Sequence, residues 1–132
     1  FNRDGGPEPP VGISVPQAMY DDFVKISEPI QKIRPDYPFE VKVREPRKRP
    51  TRMGGTDASV FAIEGVPTLG FTTEDFKGYD FDYGEIWHTE RDLYTKNIPE
   101  YQEHTATVTA IIALGVANLD KQLSREGLYT EE

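Results

Sequence analysis

Two stretches with helical apolar spacing dominate this chain, and the segments around them have room only for short strands. In the first, Met19, Tyr20, Phe23, Ile26, Ile30 and Ile33 recur at three- and four-residue steps, so they share one face of a helix over residues 17–33. Pro29 is expected to kink or interrupt its last turns, because proline lacks an amide hydrogen and crowds the carbonyl four residues back. In the second, Val108, Ile111, Ile112, Val116, Leu119 and Leu123 trace a single stripe. Asn97 supplies the cap, Pro99 falls in the first turn, Glu100 stands three residues after the cap, and Gly127 supplies the stop.

Residues 11–15 alternate apolar and small side chains, residues 39–44 alternate apolar and charged ones, and residues 66–71 form a short apolar run. Each reads as a strand. Residues 1–4 look like the tail of a further strand that delivers Asp4 to its end before Gly5 and Gly6 break it, which implies chain before Phe1. Strands interleaved with helices predict an α/β fold, a three-layer sandwich whose mixed sheet is flanked by helices on both faces. At 132 residues the chain is one domain at most. It is expected to occupy residues 1–127, with residues 128–132 frayed.

The formal net charge of −8 argues against a nucleic-acid partner, which requires a clustered positive field, and suits a metal or cationic ligand better. With no cysteine, any metal must be held by histidine, aspartate, glutamate or water. No apolar run approaches the roughly 20 residues of a membrane span. The basic residues Arg47, Lys48, Arg49 and Arg52 lie in a proline-bearing loop, either a solvated connection or the border of a cleft.

Function concentrates between Gly54 and Asp92. Gly54 and Gly55 allow a tight turn, Asp57 stands at a helix start, and residues 58–64 read as a short helix stopped by Gly65. A strand and a polar, aromatic-rich loop then lead to His88. An acid and an imidazole thus sit at opposite ends of one helix, strand and loop unit, where they can converge above a sheet edge. The chain's other histidine, His104, has Gln102, Glu103 and Thr105 for neighbours and reads as a surface residue.

Three segments, in order, carry a resemblance. They are Asn2-Arg3-Asp4-Gly5-Gly6; then Gly55-Thr56-Asp57-Ala58-Ser59-Val60-Phe61 with Gly65-Val66-Pro67; then Trp87-His88-Thr89 with Asp92. Together they resemble the C-terminal half of the zinc-dependent aminopeptidase family, which includes glutamate carboxypeptidases and the related glutaminyl cyclases. The resemblance runs from Phe1 to about Leu123. It implies that Asp4 binds one of two zinc ions from a strand end and that His88 binds the other. It implies that Asp57 helps build the site beside them, that Thr89 and Asp92 shape the histidine's loop, and that Trp87 lies at the substrate end. A hard carboxylate and a neutral imidazole suit zinc. The implied activity is hydrolysis of peptides by metal-activated water, with a glutamate as base. A secreted or periplasmic setting is implied by the family alone.

The chain also departs from that pattern. The family's first histidine ligand, its bridging aspartate and its Glu-Glu pair precede the strand that Asp4 matches, and Glu131-Glu132 stands at the wrong place to be that pair. The general base is therefore expected upstream of Phe1, and this chain alone is expected to be inactive. Ala58 stands where many relatives carry histidine, and the loop after Phe71 lacks the arginines that grip an acidic substrate. The partners implied are a peptide substrate and either the missing half of the domain or a second copy. A glutaminyl-cyclase-like acyltransferase and a non-catalytic module of the same fold stay open beside the hydrolase.

Overall fold

The computed structural model describes residues 1–130. Residues 1–9 form no strand, contrary to the expectation that Asp4 ends one. Arg3 explains the difference. Its Nη2 donates to the carbonyls of Gly6 at 2.7 Å and Glu8 at 2.8 Å, which curls the arm on itself and keeps it off the sheet.

The sheet begins at β1 (Pro10–Val15), where Ile13 and Val15 are fully buried. Pro16 ends the strand, and a 3-10 turn over Gln17–Met19 leads into α1 (Tyr20–Ile33). The helix continues through Pro29 to its last turn, which the Arg34 amide closes on the Ile30 carbonyl at 2.8 Å. The loss of one intrahelical bond at Pro29 is offset by packing, because Phe23 and Ile30 on either side are fully buried.

β2 (Glu40–Val43) runs parallel to β1, with Gly12 opposite Glu40 and Val15 opposite Val43. The approach at Gly12 is close: a Cβ there would meet the Glu40 carbonyl oxygen at 2.5 Å, so glycine is required. On the other side of β1 runs β3 (Phe71–Thr73), antiparallel, giving the order β2-β1-β3 in an open mixed sheet. Residues 66–70 do not join it, although 66–71 reads as a strand. Pro67 has no amide hydrogen to give, and Arg47 Nη2 captures the Thr68 carbonyl at 3.0 Å and its hydroxyl at 2.8 Å.

α2 (Ala58–Ile63) starts after Asp57, as expected, and Gly65 adopts the left-handed φ of 69° that ends it. Asp57 sits at the cap position without accepting a cap hydrogen bond through its side chain. A single helical turn, α3 (Tyr83–Ile86), interrupts the long loop, and Asp82 caps it by accepting from the Gly84 amide at 2.8 Å. α4 (Pro99–Ala117) follows, with Ile98 rather than Asn97 at the N-cap position and no side-chain cap bond, and it ends at Asn118 rather than Gly127. Leu119 and Leu123 therefore lie beyond the helix.

α1 and α4 pack on each other and on the sheet. Gly115 marks their closest approach, where a Cβ would lie 2.4 Å from Cγ2 of Ile26. The core joins Ile13, Val15, Met19, Phe23, Ile30, Leu69, Val108, Ile112 and Leu128. Leu128 is fully buried, so the tail is not frayed where it begins. Tyr129 forms a parallel bridge with Arg47 and its hydroxyl donates to the Ala62 carbonyl at 3.2 Å. Glu131 and Glu132 lie outside the described residues.

Candidate functional site

A cleft of about 830 Å³ opens where the N-terminal arm, the α3 turn and the start of α4 meet. Asp4, Trp87, His88 and Asp92 all line it, so residues from the two ends of the motif series come together. Gly55 lines it as well, whereas Asp57 and Thr89 do not. The basic loop of Arg47, Lys48, Arg49 and Arg52 is also absent from its walls. The loop is a solvent-exposed connection, tied down where Arg47 binds Thr68 and Arg49 Nε donates to the Ile63 carbonyl at 2.8 Å.

Asp4 is placed by its neighbours. Asn2 Nδ2 donates to Asp4 Oδ2 at 2.6 Å, and the Arg3 bonds to Gly6 and Glu8 fix the turn that follows. Elsewhere along the cleft the chain leaves α3 through Trp87 and reaches His88 with a φ of 55°. That left-handed conformation costs an L-residue about 1–2 kcal/mol, and outliers of this kind cluster at functional sites. Thr89 makes the turn possible: its hydroxyl reaches the Ile86 carbonyl at 3.0 Å and accepts from the Arg91 amide at 3.2 Å. The Asp92 amide then donates to the Thr89 carbonyl at 3.3 Å. Trp87 sets its ring against that of His88, with centroids 4.6 Å apart.

Tyr83, Leu93 and Tyr94 add large exposed side chains to the cleft, and Lys96, Asn97, Gln102 and Thr105 add polar ones. Of the two cations present, Arg3 is committed to its own loop and Lys96 pairs with Glu85 at 3.2 Å. Apart from Arg3, these residues lie outside the motif series. The signal that marks two of them is the three-residue step from Gln102 to Thr105, which puts both on one side of α4.

Asp4 and His88 match zinc in donor type and fall short of it in number. Among the described residues no group of three or more histidine, aspartate or glutamate side chains is arranged to hold a metal ion. The described residues therefore do not make a complete zinc centre.

His104 is not a surface residue. It is fully buried, its ring stacks on Tyr37 with centroids 3.9 Å apart, and Nε2 lies 3.1 Å from the Pro10 carbonyl oxygen. Beside it Tyr101 donates to Asp75 at 2.6 Å, and burial together with that bond pushes the phenol up to about 12. Glu100 accepts from Lys77 at 2.5 Å, from Tyr37 at 3.0 Å and from Tyr79.

No family model matches this chain, and no curated protein or solved structure matches it. Among the described residues no helix is long and apolar enough to cross a membrane.

Proposed function

We propose that this chain is the C-terminal portion of a zinc-dependent exopeptidase domain of the aminopeptidase type, a three-layer α/β sandwich when complete. The observation that carries the reading is His88, held with a left-handed backbone on a cleft that it shares with Asp4, Trp87 and Asp92. A histidine with a left-handed backbone that lines the same cleft as a carboxylate donor is unusual for residues with a purely structural task. On this reading Asp4 and His88 are the metal donors contributed by this chain. Trp87 flanks the bound peptide, while Thr89 and Asp92 hold the histidine turn. The remaining donors and the general base come from outside this chain, so no catalytic residue is assigned within it.

The open sheet supports the same reading. β2 and β3 are both edge strands, and β2 is a parallel partner with its outer side unpaired. In the proposed domain that edge is covered by the remaining half. Among the described residues the cleft has no uncommitted cation for an acidic side chain, which favours a peptide with a free amino terminus over a glutamate-type substrate.

The test is hydrolysis of aminoacyl-p-nitroanilides by the protein expressed from the full reading frame that contains this chain. Zinc-dependent release is expected, with Asp4→Ala and His88→Ala each lowering kcat/KM by about a hundredfold or more. Activity that survives both substitutions would overturn the assignment.

A further inference from the structure

His104 sits at a junction that cannot hold another positive charge. A carbonyl only accepts, so the hydrogen of the neutral ring is on Nε2, facing Pro10, and Nδ1 is left without a partner. The Tyr37 ring beneath it already has Lys77 Nζ at 4.6 Å and Arg34 Cζ at 4.8 Å from its centroid. The anions nearby are committed. Glu103 pairs with Arg34 at 3.0 Å, and Glu100 with Lys77 and two tyrosine hydroxyls. Asp75 accepts from Tyr101, and Asp36 lies 4.0 Å from Arg34 and 3.9 Å from Lys77. These groups come from the end of α1, the link to β2, the loop before α3 and α4, which are the elements packed around the ring together with β1.

We propose that His104 is an acid-operated latch: neutral, it fastens α4 to the start of β1 beneath Tyr37, and a proton taken up at Nδ1 opens that junction. Pro10 follows the arm that carries Asp4, and Gln102 and Thr105 beside His104 line the cleft, so opening the latch loosens two of the cleft's walls. The latch stands independently of the hydrolase reading. Burial is the main force keeping the imidazole below its ordinary range. The Pro10 carbonyl works against it, Arg34 works with it, and Asp36 and Lys77 contribute in opposite directions. The unfolded chain takes a proton on this ring near 6.5, and the folded chain takes it only at lower pH. The latch therefore stabilises the fold fully above that pH and progressively less below it.

Two histidines and one tryptophan make the test direct. Nitrogen-15 spectra of the imidazoles, assigned with His88→Gln, are followed from pH 8 downward beside Trp87 fluorescence. His104 is expected to keep its Nε2–H form through the ordinary histidine range and to take its proton in the same step that changes the Trp87 signal. His104→Gln still donates to Pro10 but cannot be protonated, so its acid step is expected about one pH unit lower or more. Titration of His104 near 6.5 with no change at Trp87 would overturn the latch, as would an unshifted step in His104→Gln. If that variant fails to fold, the wild-type titration alone decides.

Discussion

Glu100 receives the ammonium of Lys77 and the hydroxyls of Tyr79 and Tyr37, which together hold its carboxyl down at about 2. Its folded value lies below the ordinary 4.5, so its stabilisation is present above pH 4.5 and lost as pH falls toward 2. Urea melts of wild type and Glu100→Gln should differ by a constant gap above that window, and the gap should close within it. The side chain is about one-third exposed, so solvent screening keeps the gap small. A second prediction concerns His88. Glycine accepts the left-handed conformation freely and alanine does not, so His88→Gly should be more stable than His88→Ala by about 1 kcal/mol in urea melts. Of the residues singled out from motif order, Asp4, Trp87, His88 and Asp92 line one cleft and Asp57 and Thr89 do not, because order along the chain does not fix which side chains share a wall. His104 was not legible, because its sequence neighbours are polar and its burial depends on Tyr37, far away in the chain.

Alternation of apolar residues marked β1 and β2 correctly, since each strand's pattern is set by its own residues. β3 was misplaced because partners elsewhere decide the matter: Arg47 takes the backbone of Thr68 and leaves Phe71–Thr73 to pair with β1. The buried face of α4 is Tyr101, His104, Val108 and Ile112, which begins about two turns earlier than the aliphatic stripe suggests. Gly115 follows on that helix and admits Ile26 of α1. Gly115→Val should therefore cost about 1–3 kcal/mol by overpacking, measured in urea. The segment after α4 returns to the core. Leu128→Ala should cost about 2–5 kcal/mol on the same measurement, whereas a frayed tail would show almost none.

As a whole molecule the chain pairs an intact hydrophobic core with an open three-stranded sheet and a cleft lined by Asp4 and His88, with no group of three or more metal-donor side chains among the described residues. The buried cluster of β1, α1, α4 and Leu128 holds the fold together. The open edges predict association, and size-exclusion chromatography of this chain alone should show self-association rather than a compact, stable monomer. On the proposed function, Asp4 and His88 are two ligands of a metal centre completed elsewhere in the protein. Zinc stoichiometry after exhaustive dialysis, on protein from the full reading frame, tests that claim most directly. Bound zinc is expected in the wild type, with loss of metal in both Asp4→Ala and His88→Ala and retention in Leu128→Ala. Wild-type zinc content in the two cleft variants would contradict the account.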